Sequence, residues 1–213
     1  MLKTLILKIN ITEMTLEQFT EKINTAVFIS GNGSNMERII FESQNGTLNG
    51  LTDIKLVFSD NKGAKGLKTA QNMGVKTIYL KQYYKNRKKG EIPLVKELKN
   101  NKIDLIILAG YMRILSPYFV NEYKNRIINI HPADTEKYKG KNGYLWTYKN
   151  KLNYGVITVH LVNEKVDSGK ILNKETYIIP KNSTLERIKK IGLKKEHEIY
   201  SKTIKQYIIK ELL

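Results

Sequence analysis

Six consecutive residues, Ile103-Asp104-Leu105-Ile106-Ile107-Leu108, are apolar at every position but one. A strand with one wet face alternates apolar and polar side chains. A strand without alternation is covered on both faces, which is the habit of parallel sheets flanked by helices. The chain before it repeats one unit. Ala26–Ile29 is a short apolar run, and a helix signal opens at Ser34. Ile54–Phe58 is followed by a helix candidate over Gly63–Met73, and Val75–Tyr79 by a Lys-rich one near Ile92–Leu98. After Leu108 comes a short helix over Tyr118–Tyr123, with Ser116 as its cap and Pro117 at its first position, before Ile127-Ile128. Strand then helix, four times over, predicts an α/β fold with a Rossmann-like, mostly parallel twisted sheet.

Beyond His131 the pattern changes. Residues 133–153 read as polar and irregular. Val156–Val162 and Ile171–Ile179 read as antiparallel C-terminal strands, and residues 183–213 as a long C-terminal helix with Gly192 as a kink. Residues 1–24 read as an N-terminal extension with a strand at Leu2–Ile9 and a helix at Leu16–Ile23, leaving one domain over 25–213.

The formal net charge of +17 invites a nucleic-acid partner, but only five of the 37 basic residues are Arg and the lysines run from Lys3 to Lys210 without clustering. Phosphate-reading surfaces concentrate positive charge and favour the guanidinium fork. A compositional origin is the better reading, and nucleic acid is not expected as a partner. No apolar run approaches the length of a membrane helix. With no cysteine, disulfides, thiol nucleophiles and thiolate ligands are excluded. Three scattered histidines form no ligand set, so no metal is expected. A cytoplasmic protein acting on small molecules, monomeric or homodimeric, is the resulting expectation.

Three segments carry chemistry, each at a strand end, where open α/β sheets bind ligands. Gly31-Asn32-Gly33-Ser34-Asn35 joins a strand to a helix, and main-chain N–H groups there attract anions. The third glycine of a dinucleotide fingerprint would fall at Met36, so that motif is absent. Ser34 with Glu37 reads as a capping box. Gly110-Tyr111-Met112-Arg113-Ile114-Leu115 follows the central apolar strand. Asn129-Ile130-His131-Pro132 puts a carboxamide and an imidazole at i and i+2 of an extended segment, on one side of it. With Asp167 brought back by a later strand, they would make an oxyanion donor, a proton handler and an acid to tune it. Taken singly, His160 reads as structural, Asp167 as a turn residue and Glu196-His197 as a solvated helix face.

In joint order and spacing these segments resemble the phosphoribosylglycinamide formyltransferase family. The likeness runs from about Val27 to Tyr200. It takes in Ile29–Asn35, Leu108–Pro117, Asn129–Pro132, Lys137-Tyr138 with Gly140, Val159-His160 with Asp167 seven residues later, and Glu196-His197. The resemblance implies formyl transfer from 10-formyltetrahydrofolate, a co-substrate, to the amine of phosphoribosylglycinamide. It implies that Asn129, His131 and Asp167 are catalytic, with Asp167 raising the His131 pKa. It implies that Gly33, Ser34, Asn35, Arg87 and Glu196 hold the phosphoribosyl group. Met112, Arg113, Ile114 and Leu115 would line the folate pocket, with Asn129 and Asp167 also touching folate. The chain departs from the family in one stretch. Ala133-Asp134-Thr135-Glu136 stands where the family has Ser-Leu-Leu-Pro, and Gly143-Tyr144 where it has Thr-His. A formyltransferase with a different amine acceptor therefore remains open, as does a non-catalytic binding protein.

Overall fold

A computed structural model describes residues 22–81 and 87–213, of 87 and 88 the backbone only. The expected strand at Leu2–Ile9 and most of the helix at Leu16–Ile23 lie outside the described residues. The elements run β1 (Ile23–Ile29), α1 (Ser34–Asn45), β2 (Thr52–Ser59), α2 (Lys65–Asn72), β3 (Lys76–Tyr79), α3 (Arg87–Asn100) and β4 (Leu105–Leu108). They continue with α4 (Pro117–Glu122), β5 (Ile127–His131), α5 (Gly143–Lys149), β6 (Tyr154–Leu161), β7 (Ile171–Ile178) and α6 (Leu185–Glu211). Ile23 belongs to β1, where its N–H bonds Leu51 O, and not to a preceding helix.

The seven strands form one sheet in the order β3-β2-β1-β4-β5-β6-β7. β1 to β5 pair in parallel, and β6 and β7 are antiparallel additions. The unalternating runs have the cause expected of them. In β4, Leu105 and Ile107 enter one core with α1, α2 and α6, while Ile106 and Leu108 enter the other with α3 and α4. β1 divides likewise, Val27 and Ile29 to one face, Ala26 and Phe28 to the other. Each such side chain contributes about 1.5–3 kcal/mol by leaving water, so the middle of the sheet is a stiff floor.

The order 3-2-1-4-5 makes β1 and β4 neighbours whose onward connections leave in opposite directions. The crevice at that switch point is where the loop after β1 and the loop after β4 face each other. They are tied together: Ser30 N–H bonds Gly110 O at 3.2 Å, and Met112 N–H bonds Ser30 Oγ at 2.9 Å.

Two local expectations change. Helix α1 is not capped by Ser34: the N-cap is Gly33 in the left-handed region (φ 77°), and no side chain caps it. The turn is made by backbone freedom, since a Cβ on Gly33 would come within 2.8 Å of the Met36 side chain and 3.2 Å of the Gly66 backbone. Residues 133–153 are not wholly irregular, because α5 lies among them. Helix α6 runs through Gly192 unbroken. The expected cap at Ser116 is present, its hydroxyl accepting from Phe119 N–H with Pro117 next. Among the described residues no helix is long and apolar enough to cross a membrane.

Candidate active site

A cleft of about 660 Å³ opens at the switch point. Its floor is the carboxyl end of β1, β4 and β5, and its far wall is α5 with one face of α6. The sequence-predicted residues Gly33, Ser34, Asn35, Met112, Arg113, Ile114, Leu115, Asn129, His131, Asp167 and Glu196 all line it. Arg87 begins α3, but its side chain lies outside the described residues.

Register assembles the proton-handling side. β5 runs antiparallel to β6 with Asn129 opposite His160 and His131 opposite Thr158. The β6–β7 connection then returns Asp167 to the end of β5. Its Oδ1 lies 3.4 Å from Asn129 Nδ2 and 3.4 Å from His160 Nε2, and its Oδ2 lies 3.6 Å from His131 Nδ1. Asp167 is not bonding locally, as a turn aspartate usually would. It accepts from Gly140 N–H, 27 residues away, at 2.7 Å, and holds a left-handed φ of 45°. Burial pushes its carboxyl up. A protonated His160 donating from Nε2, the Gly140 N–H and the charge of a protonated His131 outweigh that, and hold it below the ordinary aspartate range.

His160 is part of the site and was passed over in the sequence. Its Nδ1 faces Leu161 O at 2.8 Å, so that nitrogen carries the hydrogen. In the neutral ring Nε2 is left to accept from Asn129 Nδ2, 3.2 Å away. This orients the carboxamide. The available signal was the His160-to-Asp167 spacing, because an antiparallel partner to β5 would set His160 across from Asn129.

Asp167 acts on His131 in the expected direction, but it is outweighed. Burial drives the His131 pKa below the ordinary histidine value, and Asp167's charge only partly restores it; His160 adds to the lowering and the Tyr138 main chain opposes it. The resting ring is therefore neutral near pH 7 rather than an imidazolium. Its Nε2 is buried with no hydrogen-bond partner. The ring stacks on Tyr138 (centroids 6.4 Å apart, planes at 20°), which stacks in turn on Trp146 (5.1 Å, 20°).

The atypical segment is anchored, not loose. Ala133 is buried and its carbonyl accepts from Thr158 Oγ1 at 2.7 Å. Asp134 caps the following turn through Glu136 N–H, and Lys174 on β7 pairs with both Asp134 (2.9 Å) and Glu136. Gly143 then lets α5 back onto the Asn129–Pro132 strand end, since a Cβ there would come within 2.6 Å of Pro132 O.

On the second side of the cleft, Glu196 is 5% exposed and takes hydrogen bonds from two neutral donors, Asn35 Nδ2 and Tyr144 Oη. Burial raises its pKa, and those two bonds offset it only in part. Asn35 thus gives one of its two amide hydrogens to Glu196, at the start of α1. On the third side, Met112 and Ile114 are 52% and 55% exposed and form an apolar lip. Leu115 sits in the core beneath it. Arg113 pairs with Asp60 at 2.9 Å, and Asp60 accepts from Ser30 Oγ at 2.6 Å, fixing the loop. Among the described residues no group of three or more acidic or histidine side chains is placed to hold a metal ion.

The family model described as Formyl transferase matches residues 23–204. A phosphoribosylglycinamide formyltransferase of Haemophilus influenzae is 34% identical over 184 residues, covering 85% of each chain. The trifunctional purine biosynthetic protein adenosine-3 of Chironomus tentans is 33% identical over 185 residues, but these are 86% of this chain and only 14% of that protein's length. Among solved structures, the phosphoribosylglycinamide formyltransferase of Bacillus halodurans superposes with a TM-score of 0.82 at 30% identity, over 88% of this chain and 96% of that one.

Proposed function

The chain belongs to the formyl transferase family, and on that premise we propose that it moves the formyl group of 10-formyltetrahydrofolate onto the amine of phosphoribosylglycinamide. The observation that carries this reading is the placing of Asp167, whose two oxygens reach Asn129 and His131 from 38 and 36 residues away in sequence. A binding protein has no use for that convergence.

The acceptor amine attacks the formyl carbon. A C–N bond forms and the carbonyl pair moves onto oxygen. Asn129 keeps one amide hydrogen on His160 and turns the other, held by Asp167 Oδ1 only at 3.4 Å, to that oxyanion, a bond worth most in a site shielded from water. His131, neutral at rest, takes up the proton shed by the amine, assisted by the Asp167 carboxylate. The imidazolium so formed is stabilised by Asp167 and becomes a second donor to the oxyanion. Collapse re-forms the carbonyl, breaks the bond to the folate nitrogen and returns the proton there. His160 holds Asn129 in orientation. Met112 and Ile114 supply apolar contact for the folate ring, with Leu115 and Arg113 supporting the loop. The Gly33–Ser34–Asn35 backbone at the start of α1 takes the acceptor phosphate, with Arg87 beside it, and Glu196 takes the ribose hydroxyls. The working unit is a single domain over residues 25–213 behind an N-terminal extension, cytoplasmic, monomeric or homodimeric.

The test is to mix the protein with 10-formyltetrahydrofolate and phosphoribosylglycinamide and follow tetrahydrofolate release, with a control lacking the acceptor. Acceptor-dependent release is expected. Folate binding without release would move the assignment to another amine acceptor and make Gly143-Tyr144 the place to look for its determinant.

A further inference from the structure

Tyr144 lines the cleft beside Glu196, and two features of the fold are arranged around it. The first is Gly192. A Cβ on that residue would overlap the Tyr144 ring, so the only glycine in the 27-residue helix α6 is the one that leaves room for it. Glycine inside a helix costs stability relative to alanine, and here that cost makes the space the ring occupies. The second is the hydrogen bond from Tyr144 Oη to Glu196 Oε1, with Asn35 Nδ2 on the other carboxylate oxygen. Gly143, next to it, lets α5 approach the Asn129–Pro132 strand end closely enough to bring the ring there.

A carboxylate oxygen has room for more than one donor, so both oxygens of Glu196 can still accept from a ligand hydroxyl. A phenol that has given its hydrogen to a carboxylate keeps its own lone pairs. Tyr144 Oη and Glu196 Oε1 are therefore two acceptors side by side, held at hydrogen-bonding separation and lining the cleft. Two adjacent hydroxyl groups on a sugar ring present two donors at a similar spacing.

We propose that Tyr144 is a specificity-determining residue, forming with Glu196 a clamp for the vicinal diol of the acceptor's sugar, and that Gly192 exists to seat it. This rests on the reading of Glu196 as the carboxylate that binds the acceptor's hydroxyls. Asn35 and Tyr144 fix the carboxylate plane; Glu196 accepts from one hydroxyl and Tyr144 Oη from its neighbour. Loss of one such contact leaves the partner hydroxyl without an acceptor, which sites of this kind penalise more heavily than loss of an apolar contact.

The experiment is steady-state kinetics on wild type, Tyr144→Phe and Gly192→Ala, with phosphoribosylglycinamide and with its analogue lacking the 2-hydroxyl. Tyr144→Phe keeps the ring and removes only the oxygen. It is expected to raise the KM for the full acceptor about tenfold, with kcat and the folate KM within about twofold. Gly192→Ala keeps the oxygen and pushes the ring aside, in a helix that alanine otherwise favours, and is expected to reproduce the same rise. With the deoxy acceptor both variants should fall within about twofold of wild type. An unchanged KM for the full acceptor in either variant, or an equal rise with the deoxy acceptor, overturns the clamp while leaving the formyltransferase reading intact. No turnover of the full acceptor by wild type overturns that reading, and the clamp with it.

Discussion

The cleft holds a buried carboxyl group, Glu196, and a half-buried one, Asp167, and their surroundings push them in opposite directions. Asp167 faces two imidazoles and a main-chain N–H, and its pKa lies below the ordinary value. Glu196 faces a carboxamide and a phenol, and its pKa lies above it. Both are desolvated; the difference is that Asp167's partners can carry positive charge and those of Glu196 cannot. One environment keeps an anion ready for proton traffic. The other keeps a hydrogen-bonding group ready for a neutral, hydroxyl-bearing ligand. Divergent pKa values in paired groups mark a division of labour, and here it falls between chemistry and acceptor recognition.

Breaking the Asp167 side should have the larger effect. Asp167→Asn removes the charge that stabilises a protonated His131, and turnover should fall about a thousandfold, with His131→Ala in the same range. Circular dichroism and thermal melts should show both variants folded, because neither residue belongs to the hydrophobic cores. Activity within tenfold of wild type in either would remove it from the mechanism. Breaking the other side, Glu196→Ala should raise the acceptor KM about ten- to a hundredfold with little change in kcat. A fall in kcat with KM unchanged would assign Glu196 to the chemical step.

Stability against pH sharpens the contrast, because the two groups carry opposite signs. Asp167's folded pKa is lowered, so its contribution is present above the unfolded value near 3.8 and is lost as pH falls through the folded one. Glu196's folded pKa is raised, so its contribution is fully present below 4.5 and is lost as pH rises through the folded one. Urea midpoints of Asp167→Asn and Glu196→Gln, each subtracted from wild type across pH, should therefore change in opposite directions. Parallel curves would mean that the two environments do not differ as described. A smaller effect is expected of Ser34→Ala, a KM rise of about two- to fivefold for the acceptor from one hydroxyl contact. An unchanged acceptor KM would leave the phosphate to the backbone alone. The smallest effect concerns the charge of +17. If it is compositional, tRNA binding should be weak and vanish at moderate salt, and binding that survives such salt would return nucleic acid as a partner.

The sheet was readable because its strands are apolar on both faces, and no competing element explains Leu105–Leu108. Asn129, His131 and Glu196 were readable from motif order. What escaped was whatever depends on a distant partner. Helix α5, Gly-Tyr-Leu-Trp-Thr-Tyr-Lys, is rich in aromatic residues of modest helix propensity. It is held by the Trp146–Tyr138 stack and by Thr147 Oγ1 on Gly143 O. The role of Gly192 escaped for the same reason: a local rule was applied where the glycine answers to Tyr144, 48 residues earlier. For His131 the sequence shows Asp167, which does raise its pKa, but not the burial that outweighs it.

The division between the two carboxyl groups is tested most directly by measuring kcat and acceptor KM for Asp167→Asn and Glu196→Gln side by side at pH 7. The account predicts a collapse of kcat with acceptor KM within about twofold in the first, and a raised acceptor KM with kcat within about twofold in the second. Both variants losing kcat, or both losing acceptor binding, would show that one mixed cluster does both jobs and would contradict it.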